Sequence, residues 1–147
     1  MDTSIFGGLY DAEFKEFTVP LFERIENFEF VIIHSNITEK ELENAPKKIK
    51  ETTKLLPNDS TEYVKSDIET VSLAKRYIEE GVVGATSYVD CLHIALATKY
   101  NANILVSWNF KHIVNVVRIV GYNSVNTAEG YKPIDIRSPR ELINYEN

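Results

Sequence analysis

The sequence of 147 residues has little cysteine and no long apolar run. Its single cysteine, Cys91, cannot form an intramolecular disulfide, and its apolar, helical surroundings predict a packing role in a reducing, cytoplasmic setting. No apolar run approaches the ~20 residues that a membrane span needs, and no segment resembles a signal peptide. We therefore expect a cytoplasmic protein with no membrane partner.

Positive charge is also scarce. Lys and Arg number 16 against 22 Asp and Glu, which gives a formal net charge of −6. A broad nucleic-acid-binding surface is normally basic, so this balance argues against one. It does not exclude a nucleic-acid enzyme, because metal ions can neutralise carboxylates and a local patch can contact phosphate. A P-loop, a dinucleotide fingerprint, a zinc-ligand spacing and a serine-hydrolase elbow are all absent, which argues against those chemistries.

The sequence does contain an alternation of apolar runs and helical patterns, which is typical of an α/β fold with a parallel sheet. The predicted strands are 1–5, 28–34, 104–107 and a late edge strand, 134–137. The predicted helices are 11–27, 38–44, 46–56, 67–80, 87–100 and 110–120, with a loop at 58–60 and a capped turn at 138–141. Without a repeat or linker, we expect a single domain over 1–147.

Isolated polar side chains accompany these elements. Asp2 lies in the predicted first strand, Glu41 follows the second, Asp90 opens an apolar helix, and Asn109 follows the strand 104–107. The carboxyl ends of parallel strands meet at one edge of a sheet, so these groups are expected to converge. Oxygen ligands are those that Mg²⁺ prefers, and the pattern therefore predicts a site for a hard divalent metal.

Four short motifs carry a family resemblance. They are Asp2-Thr3-Ser4, Thr38-x-x-Glu41-Leu42, Asp90-Cys91-Leu92-His93-Ile94-Ala95 and Ser107-Trp108-Asn109-Phe110. Their order and spacing resemble those of the PIN-domain family of nucleases. The stretch 123–142 and the sequence Ser-Trp-Asn-Phe-Lys-His-Ile resemble one subgroup, so the resemblance covers essentially the whole chain.

The resemblance implies a three-layer α/β/α sandwich with a central, mainly parallel sheet. It also implies RNA cleavage that depends on Mg²⁺ or Mn²⁺, as in the toxins of type II toxin–antitoxin pairs, with an antitoxin protein and a homodimer as expected partners. Asp2, Glu41 and Asp90 would hold the metal, and Asn109 would assist catalysis. Ser4 and Ser107 would support them as neighbouring polar groups.

Two features keep other interpretations open. Asn109 stands where the common family pattern has Asp, and an amide carries no charge for a metal. Asp2 directly follows the first residue, which predicts either a very short first strand or a sequence that lacks its beginning. The alternatives are a catalytically degenerate module that binds RNA or a protein, and a hydrolase of small phosphorylated compounds.

Several residues have competing roles. Glu41 is alternatively the third-position carboxylate of a capping box that begins at Thr38. His93 shares a helix face with Asp90, and packing with a local hydrogen bond is the usual role of such a histidine. The candidate RNA contacts, each with a packing or solvated-surface alternative, are Lys47, Lys48, Trp108, Lys111 and His112.

Overall fold

Helices and short parallel strands alternate along residues 1–145, the part of the chain that the computed structural model describes. The described helices are α1 Ser4–Gly8, α2 Lys15–Glu26, α3 Asn36–Leu42, α4 Lys47–Lys50, α5 Ile68–Glu79, α6 Tyr88–Lys99, α7 Val116–Ala128 and α8 Pro139–Tyr145. The strands are β1 Ile32–Ser35, β2 Thr61–Val64, β3 Ile104–Val106 and β4 Asp135–Arg137. The predicted α/β class is confirmed. No helix within residues 1–145 is long and apolar enough to cross a membrane.

The strands form two parallel pairs. In one, Ile32 of β1 lies opposite Thr61 of β2, and in the other Ile104 of β3 lies opposite Asp135 of β4. A single backbone bond adds the start of the chain to the second pair, because the Asp2 N–H donates to the Val106 carbonyl at 3.2 Å. The predicted parallel pairing is confirmed, and the described sheet is divided between β1 and β3.

The predicted first strand, 1–5, is wrong. Residues from Ser4 onward form the short helix α1, and only Asp2 pairs with β3. Local hydrogen bonds explain the turn, since the Ser4 hydroxyl donates to the Asp2 carboxylate and the Phe6 N–H donates to the Thr3 carbonyl. Such short-range bonds compete with a strand ladder.

The other strands differ from expectation in extent. The strand predicted at 28–34 begins only at Ile32, because Phe28 has a left-handed φ of 60° and belongs to the turn that ends α2. The strand β2 was not predicted, since Thr61–Val64 is short, largely polar and partly exposed. The predicted strands at 104–107 and 134–137 are confirmed as β3 and β4, with small differences at the ends.

The helix starts depend on capping. Ser35 caps α3 by accepting the Thr38 N–H at 3.2 Å, so the predicted capping box of Thr38 and Glu41 is wrong. Asp67 and Thr70 form a capping box at the start of α5, whose predicted span is confirmed. The helix predicted at 110–120 begins instead at Val116, because Asn115 caps it and residues 110–114 turn.

The helix predicted at 46–56 is divided into α4 and a 3-10 turn.

Two buried cores lie on opposite sides of β3. The α5–α7 core contains Leu105, together with apolar side chains of α5, α6 and α7. The α2–α8 core contains Val106, with Phe22 of α2 and Leu142 of α8. Neighbouring strand residues point to opposite faces, so β3 is covered by helices on both sides. This is the predicted three-layer order.

Candidate functional site

Asp2 is held at the end of β3 by two serines. Its side chain is 5% exposed, and the Ser4 hydroxyl donates to its Oδ1 at 2.6 Å. Ser4 Oγ also accepts the Trp108 N–H at 2.9 Å and lies 3.5 Å from Ser107 Oγ. Burial raises the pKa of the Asp2 carboxyl, and the His93 charge and the two serines offset only part of that rise.

Glu41 connects three segments of the chain. Its Oε1 accepts the Thr3 hydroxyl at 2.6 Å and lies 2.6 Å from His93 Nε2. These contacts join α3, which carries Glu41, to the start of the chain and to α6. Burial acts to raise the pKa of Glu41, but the hydrogen bonds of His93 and Thr3 and the His93 charge outweigh it and lower that pKa. Glu41 is therefore an ionised carboxylate near neutral pH.

Asp90 occupies the first turn of α6 and is half-buried. Within residues 1–144, no side chain hydrogen-bonds to its carboxylate. Burial raises the pKa of Asp90. The charges of His112 and His93 lower this pKa, whereas the negative charges of Asp2 and Glu41 raise it. The three predicted acids thus lie close enough to repel one another.

Asn109 forms a turn rather than facing Asp90 with a free oxygen. Its Oδ1 accepts the backbone N–H groups of Lys111 at 3.2 Å and His112 at 3.0 Å. Its own N–H donates to Ser107 Oγ at 2.9 Å. Both acceptor positions of the amide oxygen are occupied by backbone, and its participation at a metal stays a prediction.

The donor set fits a hydrated hard cation better than a closed metal cage. Among the described side chains, no group of three or more His, Cys, Asp or Glu residues is placed to hold a metal ion. Asp2 accepts the Ser4 hydroxyl through Oδ1, Glu41 uses only Oε1 for Thr3 and His93, and Asp90 has no hydrogen-bond partner in the described chain, so each acid keeps at least one oxygen for a hydrated cation. Mg²⁺ in proteins commonly has one or two carboxylate ligands and keeps several waters.

The candidate RNA contacts are distributed around this centre. Lys47 and Lys48 are exposed on α4, which packs against α1, and Lys48 Nζ lies 5.0 Å from the Tyr10 ring centroid. Lys111 is exposed two positions after Asn109. The charge of His112 lowers the pKa of Asp90. These positions place the lysines beside the site, not within it.

Trp108 lies in the protein interior. Its side chain is 7% exposed, its Nε1–H donates to Thr18 Oγ1 at 2.9 Å, and its ring stacks on Phe14 at 4.3 Å. Phe110, at 49% exposed, is the accessible aromatic ring beside it. A base that stacks next to Asn109 would meet Phe110.

Sequence reasoning missed the roles of Thr3 and His93. His93 is 6% exposed and was expected to pack or bond locally, whereas its Nε2 contacts Glu41, 52 positions away. The three-residue spacing indicates that His93 shares a helix face with Asp90, but it gives no signal of the contact with Glu41 on α3. Thr3 gave no signal of its own.

Comparisons with known proteins give one match. The family model described as PIN domain matches residues 1–111, a span that contains the three acids and Asn109. Searches of curated proteins and of solved structures each found no match. Because the match covers well over half of its residues, the chain belongs to the PIN-domain family, whose nuclease-type fold generally works with divalent metal ions.

Proposed function

We propose that the protein is a metal-dependent endoribonuclease that hydrolyses RNA phosphodiester bonds, with Mg²⁺ or Mn²⁺ held by Asp2 and Asp90. The observation that carries this proposal is the Asp90 carboxylate, which has no hydrogen-bond partner in the described chain and lies beside the buried Asp2. The negative charge of Asp2 helps to raise the pKa of Asp90, and a carboxylate in that position is unfavourable until a cation neutralises it. A metal site explains why that arrangement is built.

The chain's own side chains would divide the work. A bound Mg²⁺ or Mn²⁺ supplies a Lewis acid that lowers the pKa of a water and stabilises charge on phosphate. Ser4 and Ser107 fix the Asp2 carboxylate. Thr3 and His93 both engage Glu41 Oε1, so Oε2 is free to accept a proton from a water. Asn109 shapes the adjacent turn through its backbone contacts.

RNA is the proposed substrate because flexible cations flank the acidic centre. Lys47, Lys48 and Lys111 are exposed and can contact a phosphate backbone. Phe110 offers an exposed ring, and base stacking contributes ~1–3 kcal/mol per base. These contacts are local, which is compatible with the net charge of −6.

The proposal includes a role as the toxin of a type II pair, with an antitoxin protein and a homodimer as partners. Among the aromatic side chains of the first helices, Phe22 is buried, and Phe14 and Phe17 are partly buried against the α2–α8 core. Exposed apolar side chains lie instead on α7, at Val116, Val117 and Val120.

The decisive experiment combines metal removal with one substitution. We expect cleavage of a single-stranded RNA that EDTA abolishes and Mn²⁺ restores. Asp90→Asn should lower the rate by ~10²-fold or more, since it removes a negative charge that would hold the metal, and the metal stabilises charge on the reacting phosphate. The control is Asp59→Asn, an exposed acid on a remote turn. Circular dichroism and thermal melting verify folding. Full activity in EDTA, or in Asp90→Asn, would refute the proposal.

A non-catalytic PIN module that binds RNA or a protein is the second candidate. It is favoured by the lack of a preformed three-ligand group in the described residues and by the occupied oxygen of Asn109. Calorimetric titration with Mn²⁺ separates the two functions. Heat of binding that is lost in Asp90→Asn supports the nuclease, whereas no binding at millimolar Mn²⁺ together with retained RNA binding supports the module.

A further inference from the structure

A cavity of about 310 Å³ lies against α3 and shares no lining residue with the acidic site. Its walls include Glu39 and Glu43 of α3, His34 of β1, Tyr63 of β2 and Lys50 at the end of α4, and we name it the α3 cavity. The neighbouring strands hold the two rings side by side, because His34 and Tyr63 are partners in the β1–β2 ladder.

His34 forms a buried wall of the α3 cavity. Its side chain is 4% exposed, and its ring lies edge-on to those of Phe6 and Tyr63, with centroids 5.9 and 5.7 Å away. Its ring nitrogens have no hydrogen-bond partner among the described residues, since Glu39 Oε1 is 3.6 Å from Nε2, too far for a hydrogen bond. Buried polar groups are normally hydrogen-bonded, so a ligand in the cavity would supply the missing partner.

The α3 cavity also presents unpaired charges of both signs. Within the described chain, the side chains of Glu43 and Lys50 take part in no hydrogen bond or ion pair, and Glu39 approaches only His34. Burial lowers the pKa of His34, so its ring is uncharged near neutral pH and does not neutralise Glu39. Two free carboxylates and one free ammonium group therefore line the same cavity.

The rest of the lining is apolar or aromatic. Leu42 of α3 and Leu56, at the end of the 3-10 turn, are 4% and 5% exposed, so they give the cavity a buried apolar wall. Tyr63 is 61% exposed and offers an accessible ring beside it. Small-molecule sites in proteins combine such apolar surface with a few polar groups that orient the ligand.

We propose that the α3 cavity binds a small zwitterion with an apolar side group, which is the chemistry of a free α-amino acid. The ligand's ammonium group would contact Glu39 and Glu43, and its carboxylate would contact Lys50. A simple anion would face two carboxylates, and a simple cation would leave Lys50 without a partner, so a zwitterion matches the charges better than either. The volume is at the lower end of the ~300–1,000 Å³ of small-molecule sites, which fits so small a ligand.

The α3 cavity is separate from the proposed nuclease centre. Glu41 is the acid of α3 that belongs to that centre, and it is two positions from both Glu39 and Glu43. Residues two positions apart on a helix do not face each other, so Glu41 lies on a different side of α3. A binding measurement without RNA or metal therefore tests the cavity alone.

Nuclear magnetic resonance titration of the full chain with L-phenylalanine tests the proposal, with L-leucine in parallel. We expect saturable shifts of the His34 ring signals and of the Glu39 and Tyr63 amides, while the amides of α7 stay unchanged. Phenethylamine lacks the carboxylate and 3-phenylpropanoate lacks the ammonium group, and each should bind at least about tenfold more weakly than L-phenylalanine.

Substitutions identify the groups that hold the ligand. Lys50→Ala should weaken L-phenylalanine binding about tenfold or more and leave phenethylamine binding unchanged. The double variant Glu39→Gln with Glu43→Gln should weaken the binding of both compounds. Lys54→Ala is the matched control, because Lys54 is an exposed lysine that does not line the cavity. Thermal melting verifies that each variant is folded.

Four results would overturn the proposal. Absence of saturable shifts with both amino acids at about 10 mM would mean that the cavity binds no such ligand. Phenethylamine binding as tight as that of L-phenylalanine would show a site for cations, and equally tight binding of 3-phenylpropanoate would show a site for anions. Unchanged affinity in Lys50→Ala and in the double variant would place the ligand elsewhere on the protein.

Discussion

At the scale of single residues, Glu41 shows how two hydrogen-bond partners orient a carboxylate. One of its oxygens receives the Thr3 hydroxyl and faces His93 Nε2, each at 2.6 Å. Because the other oxygen has no such partner in the described chain, the side chain is oriented and still half open. The same contacts also tie α3 to α6, so Glu41 has a structural role besides the proposed catalytic one.

Replacing His93 should therefore act on the reaction through the orientation of Glu41. We expect His93→Ala to reduce the RNA cleavage rate at saturating substrate by ~10–100-fold, with little change in KM, as for other orienting partners. His93→Gln retains a hydrogen-bond donor and should recover part of the rate. Steady-state kinetics on both variants measure this, and an equal loss in both would contradict an orienting role.

The residues of the site differ in how far sequence could predict them. Asp2, Glu41 and Asp90 were singled out by their places beside apolar runs and by the family resemblance, and the structure brings their charges into one region, while their role at a metal stays a prediction. The contact of His93 with Glu41 depends on how α3 and α6 approach each other, and sequence spacing does not encode that distance. The turn at Asn109 could not be predicted either, because an amide oxygen can accept backbone N–H groups as readily as it can bind a metal.

At the scale of elements, the long helices and the strands β3 and β4 were predictable, whereas the start of the chain and β2 were not. Both α5 and α6 are 12 residues long, and the first has a clear stop at Gly81, with φ 73°. By contrast, β2 has 4 residues, so local pattern carries little information about it. The first strand was mispredicted because side-chain and backbone bonds at Asp2, Thr3 and Ser4 turn the chain.

The packing of α1 on α2 makes a sharp stability prediction. A Cβ at Gly8 would lie 2.6 Å from Thr18 Oγ1 and 2.8 Å from Trp108 Nε1, the two atoms that share a hydrogen bond. Gly8→Ala should lower the free energy of unfolding by about 1–3 kcal/mol. Gly84→Ala is the matched control, because nothing lies within 4 Å of its Cβ position. Urea unfolding of both variants measures the difference, and equal stabilities would contradict the packing described.

At the scale of the whole molecule, the residues after the family match at 1–111 supply β4, α7 and α8, which add to the sheet and to the helix layers on both of its faces. The strand β4 pairs with β3, α8 packs on α2, and α7 packs on α5. These contacts extend both buried cores, so residues after position 111 contribute to the same fold that positions the acids. The site consequently depends on helices that carry none of its carboxylates.

Repulsion within the site should make stability depend on metal and on pH. Burial and the neighbouring acids raise the pKa of Asp90 above its unfolded value, so the folded state binds the proton more tightly. Without metal, this group's contribution to stability falls as pH rises from its unfolded pKa through its raised folded pKa. Asp90→Asn removes that loss and should melt at a higher temperature than the metal-free wild type at neutral pH.

Added Mn²⁺ should reverse the order of the two proteins. Metal that binds only the folded state stabilises it by about 2.7 kcal/mol at 100 times its Kd, and the Asn variant should lose most of this effect. Thermal melting with and without Mn²⁺ measures both differences. Identical shifts in the two proteins would contradict a metal at Asp90.

The neighbour of Asp90 has a practical consequence. Cys91 is the only thiol in the sequence, it is fully buried in α6, and burial raises its pKa to about 12. A thiolate-selective reagent can reach it only when the α5–α7 core opens. The alkylation rate of Cys91 therefore measures how often α6, the helix that carries Asp90, opens. No introduced label is required.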